Sequence, residues 1–186
     1  TTAAMISPAS VDKHGNEYKN IVHPIGTGPY VFKERKKGES LTVSQWADKN
    51  RILFYKASSE AGPWRTSRTP FAREIMDCLS VMSLIRTVSF MKAAQVVGTE
   101  VALNWIGYVM DHAPAPMLVV QPTLEVRERF VKQRLDPMLT GTPALASLFG
   151  AGRRRDASNT EGIKDFPAGM LILGGGNSPA SLAAMP

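Results

Sequence analysis

The 186-residue sequence has one cysteine, Cys78, and three histidines. A lone thiol excludes an internal disulfide and any zinc site built from several cysteines. His112 has no second histidine near it in sequence with which to share a metal, and it reads as a residue at a helix end. His14 and His23 read as turn residues, and Cys78 as a buried core thiol. Long apolar runs are also missing. The longest are four-residue stretches such as 117–120 (Met-Leu-Val-Val) and 170–173 (Met-Leu-Ile-Leu). A membrane-spanning helix needs about 20 apolar residues, so no span is expected. The opening Thr1-Thr2-Ala3-Ala4 offers neither an initiator methionine nor a basic-then-apolar leader, and it reads as a cut end. No strong block of one charge sign is present. Residues 1–40 carry six basic and four acidic residues, and the other 146 carry sixteen and twelve. The net charge of +6 and pI near 9.6 favour polyanion partners without marking a dedicated basic arm.

What remains is globular composition, 44% hydrophobic and 20% charged, which excludes wholesale disorder and suits one domain, or one and a fragment. No internal repeat is visible. The first forty residues read as turns and extended chain. His23-Pro24-Ile25-Gly26-Thr27-Gly28-Pro29-Tyr30 sets two glycines and two prolines in eight positions, a rigid turn. Tyr30-Val31-Phe32 can begin a strand. Beyond Ser40 the pattern changes. Val43 to Asp48 starts a helix. Residues 57–69 form a loop, and Thr69-Pro70 predicts a capped helix whose apolar face is Phe71, Ile75, Met76 and Leu79. Thr87-Val88-Ser89-Phe90-Met91 is a β-prone run. A small-residue loop, 92–98, leads into a helix from Thr99 to about His112, with Val101, Trp105, Tyr108 and Val109 on one stripe. Residues 117–120 read as a buried strand. The two strands start about 30 residues apart, which suits one right-handed strand–helix–strand unit. Thr123 caps a helix to about Leu135, and a short helix spans 143–149. Residues 163–166 and 170–173 pair as strands across Pro167-Ala168-Gly169, and Gly174-Gly175-Gly176 ends that hairpin in a loop.

The loop at 92–98 invites a chemical reading. Backbone N–H groups between a strand and a helix, with the helix N-terminus behind them, point at an anion. Against the pattern G-x-x-x-x-G-K-[ST], the window Lys92-Ala93-Ala94-Gln95-Val96-Val97-Gly98-Thr99 keeps the hydroxyl at Thr99. It has Gly98 where the lysine usually stands and Lys92 at the opposite end. Lys92 at that end is still placed to reach nucleotide phosphates, and Thr99 is suited to Mg²⁺. The alternative is a small-residue turn with an exposed lysine. By the residues alone, Glu100 favours the helix N-terminus electrostatically. Trp64, Arg65 and Phe71 are open to adenine stacking or plain packing. Arg153, Arg154 and Arg155 are a solvated loop or a contact to DNA phosphates.

Longer words then carry a resemblance. Trp46-Ala47-Asp48-Lys49-Asn50-Arg51-Ile52-Leu53 fits W-A-D-x-x-R-x-L. Residues 62–77 fit G-P-W-R-T-S-R-T-P-[YF]-x-R-E-I-M-D. Residues 91–100 fit M-K-G-A-Q-V-G-G-T-E, 104–109 fit N-W-I-G-Y-V, and 116–123 fit P-M-L-V-V-Q-P-T. R-L-x-P-M, T-P-A-L, R-D-x-x-N-T, F-P-x-G and N-S-[AP]-A-x-L-x-x-M-P follow in order at 134–138, 142–145, 155–160, 166–169 and 177–186. Residues 41–186 thus resemble the large terminase subunit of tailed bacteriophages, in the branch with a deviant phosphate loop.

The resemblance implies an α/β fold: a truncated phosphate-loop NTPase-type sheet, mostly parallel, with flanking helices and a short extended segment before it. It implies a hydrolase, an ATPase using ATP and Mg²⁺ to package double-stranded DNA into procapsids in the host cytoplasm, with endonuclease activity in the parent. It implies the small terminase subunit, the portal and further copies of the chain as partners, and no membrane. Lys92 would clamp phosphates, Thr99 would hold Mg²⁺, and backbone N–H groups of Ala93, Ala94, Gln95, Val96, Val97 and Gly98 would cradle oxygens. The family's acidic Mg²⁺ strand would follow Pro186, so this chain alone is expected not to turn ATP over. Val97 stands where the family has glycine, and a β-branched residue is strained if that position needs a positive φ. Residues 1–40 instead resemble a slice of an extracytoplasmic solute-binding protein of the peptide/nickel ABC-transporter class. They are expected to be a fused or mis-assembled segment outside the core. Two other functions stay open from the residues: a peptide-binding transport fragment, resting on 1–40, and a non-enzymatic DNA-binding fragment, resting on charge.

Overall fold

Thr42 and Gln45 close a capping box around the first helix, α1 (Val43–Asn50): the Thr42 hydroxyl accepts from Gln45 N–H and the Gln45 amide accepts from Thr42 N–H at 3.0 Å. In the computed structural model the described residues are 41–55, 60–149 and 162–178, all within the unit Leu41–Pro186. The expected turn at His23–Tyr30, the strand at Tyr30-Val31-Phe32, and Arg153, Arg154 and Arg155 lie outside them.

After α1 the chain turns extended at Arg51 into a two-residue strand, β1 (Ile52–Leu53), which pairs antiparallel with β2 (Gly62–Pro63). A 3-10 turn over Thr66–Arg68 leads to α2 (Phe71–Cys78). Its buried side is Ala72 and Met76, whereas Phe71 is 55% exposed. The apolar face expected to include Phe71 is therefore narrower. Thr69 also caps α2 only through its carbonyl, which accepts from Ala72 N–H; its hydroxyl is buried without a partner. Cys78 is half-buried.

α3 (Gly98–Asp111) is the central helix. Leu103, Ile106 and Met110 are buried on it beside Val101, Tyr108 and Val109, so it is covered on more sides than the expected single stripe. Its axis is reached closely at Gly107. A Cβ there would lie 2.8 Å from Trp46 Cζ3, so the glycine lets the α1 tryptophan lie flat against the helix. The same indole donates to Asp111 at 2.8 Å.

The sheet runs β3 (Met117–Gln121), β5 (Gly169–Gly175), β4 (Ile163–Phe166) in spatial order. β3 and β5 are parallel, with Val119 opposite Leu173. β4 and β5 are antiparallel across Pro167-Ala168, with Phe166 opposite Gly169 and Ala168 at φ 65°. Among the described residues the sheet is thus mixed, not mostly parallel. The expected hairpin is present, but Gly174 and Gly175 belong to β5 and only Gly176 lies past it. Met117, Leu171 and Leu173 face the core, while Leu118 and Val120 are about half exposed. β3 alternates and is not buried on both faces.

The parallel connection passes through one long helical stretch. α4 (Leu124–Phe130) is capped by Thr123, whose hydroxyl accepts from Val126 N–H at 3.2 Å. It continues through a π-turn (Val131–Leu135) into α5 (Asp136–Gly141), past the expected end near Leu135. Pro137 explains the π-turn: it lacks an N–H and its ring crowds the carbonyl four residues back. The Asp136 N–H accordingly reaches back five residues to Val131. Lys164 on β4 pairs with Asp136 at 3.0 Å, tying sheet to helix. α6 (Pro143–Ala146) is shorter than expected.

The expected strand at residues 87–91 does not form. The segment is described and irregular, and no described strand pairs with it. β-propensity reflects packing on neighbouring strands, and without one the run stays open. Leu84 and Met91 are 97% and 99% exposed. The parallel pair is therefore β3 and β5, with the long helix, α6 and β4 between them in sequence, not the two strands expected to flank α3.

Candidate nucleotide-binding site

Lys92 and Gly98 stand six positions apart, and the loop between them closes back on itself. The Lys92 side chain lies across Gly98: a Cβ built at 98 would be 2.5 Å from Lys92 Cδ and nearer still to Cε. The lysine ammonium rests 3.4 Å from the Ala93 carbonyl. A lysine from the start of the loop thus covers the position where the usual pattern carries one. Gln95 and Val97 both take positive φ, 58° and 37°. Val97 is the residue before α3, so its left-handed backbone turns the chain into the helix. The Gly98 N–H donates to the Val96 carbonyl inside this turn, so that donor is already committed. Ala93, Ala94, Gln95 and Thr99 are exposed, and Val96, Val97 and Gly98 are half-buried.

A cavity of about 650 Å³ lies against the loop, lined by Leu53, Trp64, Lys92, residues 95–100 and Arg134. That volume suits a nucleotide-sized ligand. An ion-pair cluster adjoins it at Glu100 and Arg134. Arg51, only 4% exposed, donates from Nη2 to Glu100 Oε2 at 3.0 Å. Arg134 Nη1 stands 3.7 Å from the other carboxylate oxygen. Burial pulls the Arg51 guanidinium below its ordinary value, and the Glu100 charge and hydrogen bond pull it back up. Arg51 also donates to the Ile52 carbonyl, while its Nε is buried without a partner.

The word at 46–53 has a structural role around this site. Trp46 seats on α3, and the Asp48 carboxylate accepts from Thr66 N–H at 2.6 Å. Arg51 reaches the first turn of the same helix. Glu100 therefore does more than favour the helix N-terminus. His112 follows α3, as expected, and its Nε2 accepts from Leu41 N–H at 3.3 Å.

Trp64 lines this cavity and a second one of about 340 Å³, which Arg65 also lines. Trp64 is 5% exposed and donates its indole N–H to Thr66, so packing accounts for most of its surface. Phe71 lines neither cavity. Among the described residues no group of three or more His, Cys, Asp or Glu side chains could hold a metal. A Mg²⁺ ion beside Thr99 would thus depend on phosphate and water oxygens. No described helix is long and apolar enough to cross a membrane. Arg51 and Arg134 escaped the sequence reading. The single arginine of the word 46–53, and Pro137 three residues after Arg134, were the available signals.

Residues 58–186 match the family described as phage terminase large subunit gpA, ATPase domain. Over 137 residues the chain is 35% identical to the terminase large subunit of Enterobacteria phage P21, covering 73% of this chain and 21% of that protein. The chain spans about a fifth of the length of that curated relative. No solved structure matches it. The family match takes in the loop, α3 and the sheet, and the relative agrees over nearly three-quarters of the chain: this protein belongs to the ATPase-domain family of phage terminase large subunits.

Proposed function

We propose that this chain supplies the nucleotide-binding part of a phage DNA-packaging motor, binding ATP with Mg²⁺ in the cavity between the loop and Arg134. The observation that carries the reading is Lys92 seated over Gly98. It brings an ammonium to the cavity from the unusual end of the loop, where a polyphosphate can engage it. Thr99 would offer its hydroxyl to the metal, and the loop from Ala93 to Val97 would offer backbone N–H groups to phosphate oxygens. Bound Mg²⁺ would neutralise phosphate charge. Adenine stacking on Trp64 and Arg65 is a lesser part of the proposal, given how deeply Trp64 is packed. Binding, not turnover, is assigned to the described residues.

Family membership supports the wider role for the whole protein. That role is ATP hydrolysis driving double-stranded DNA into procapsids in the host cytoplasm, beside a small terminase subunit and a portal, in a ring of like chains. DNA contact is proposed for Arg153, Arg154 and Arg155, and parent endonuclease activity is assigned to no residue here. Residues 1–40 are proposed not to contribute to the ATPase-like core. The peptide-transport reading rests on them alone, and the family match begins at 58.

Titrating a fluorescent ATP analogue with Mg²⁺ into the chain and into Lys92→Ala tests the site. A charge-assisted contact contributes about 1.5–3 kcal/mol, so Lys92→Ala should weaken binding about tenfold or more. Equal affinity would remove the proposal.

A further inference from the structure

Arg134 reaches the cavity from a distant part of the chain, and neither the loop pattern nor the family description assigns it a task. Its place is set by the π-turn Val131–Leu135, the one irregular turn in an otherwise regular helical run. Such turns re-aim side chains and recur at functional sites. Its guanidinium faces a carboxylate already engaged elsewhere. Glu100 Oε2 holds the buried Arg51 at 3.0 Å, and Oε1 stands 3.7 Å from Arg134. Arg51 is thus the closer partner of the Glu100 carboxylate. The longer pair is also the more exposed, Arg134 being 42% exposed against 4% for Arg51. A partly exposed ion pair is weak, whereas a guanidinium gripping a phosphate with two hydrogen bonds is strong.

We propose that Arg134 is a specificity-determining residue that binds the terminal phosphate of a nucleoside triphosphate, with Glu100 holding it at the cavity mouth until that phosphate takes the carboxylate's place. The proposal rests on the nucleotide-binding reading above. Lys92 would anchor the phosphates common to di- and triphosphates, and Arg134 would read the additional one.

The test measures affinities of fluorescent ATP and ADP analogues, with Mg²⁺, for the full chain, Arg134→Gln, Arg134→Lys and Lys92→Ala. Arg134→Gln should lower the preference for triphosphate over diphosphate about tenfold while leaving ADP affinity within about twofold. Arg134→Lys should recover part of that preference. A merely structural arginine would move both nucleotides together, and an equal loss for ATP and ADP overturns the proposal, as does an unchanged ratio. If Lys92→Ala leaves both affinities intact, the nucleotide site itself is refuted and this inference falls with it. Loss in Lys92→Ala with an unchanged ratio in Arg134→Gln overturns the Arg134 assignment alone.

Discussion

At position 97 a β-branched side chain is held at φ 37°, in the region where L-residues other than glycine are disfavoured by roughly 1–2 kcal/mol. The fold sustains this angle by itself, with Val97 packed partly against the core. The strain therefore belongs to folding and should be read in stability before affinity. Two truncations separate the backbone from the packing. Val97→Ala and Val97→Gly both remove the isopropyl group, and only glycine relieves the angle. Glycine's greater freedom in the unfolded chain offsets part of that relief. Val97→Gly should still exceed Val97→Ala by roughly 0.5–1 kcal/mol, about 1–4 °C in melting temperature. Alanine being the more stable of the two would show that the angle is not strained.

Helix α3 is positioned by what its neighbours can approach, and Gly107 is the closest approach. Gly107→Ala gains about 1 kcal/mol of helix propensity but meets the Trp46 ring, and overpacking costs roughly 1–3 kcal/mol. A Cβ this close to the ring puts the cost in the upper part of that range, so the net loss is roughly 1–2 kcal/mol and the melting temperature should fall by roughly 2–8 °C, and much less in a Trp46→Phe background, where the smaller ring leaves room. Thermal melts of the parent chain, the two single variants and the double variant complete that cycle, and equal drops in both backgrounds would dismiss the contact. Elements of this kind differ in how far sequence reveals them. α1, α4 and the β4–β5 hairpin were legible because their signals are local: a Thr-x-x-Gln box, a Thr cap, a Pro-Ala turn. The run at 87–91 misled because a strand is completed by its neighbour and not by its own residues. The π-turn was hidden because Pro137 reads equally as a helix stop.

Across the molecule, half of the candidate site was legible. The loop's lysine, glycine and hydroxyl sit within eight positions, so spacing alone singled them out as candidates. The Arg51–Glu100 pair joins residues 49 apart, and only the packing of α1 on α3 brings them together. The same scale governs how the chain meets solvent. Leu84 and Met91 are almost wholly exposed on the irregular segment before the loop, and Leu118 and Val120 are about half exposed on the sheet. Apolar side chains left so open favour self-association. Replacing Leu84 and Met91 together by serine should reduce light scattering at high protein concentration. Exposed positions contribute within about 0.5 kcal/mol, so the melting temperature should hardly move. A substantial drop in melting temperature would mean that these side chains are packed in solution.

The seat over Gly98 has room for one long side chain. Lys92 fills it, and any Cβ at 98 displaces those methylenes. A side chain at 98 would therefore compete with Lys92 for this space, and the exposed lysine would have to move aside. On the proposed reading of the site, the unusual placement relocates the charge, and a substitution at either position has to be judged together with its counterpart.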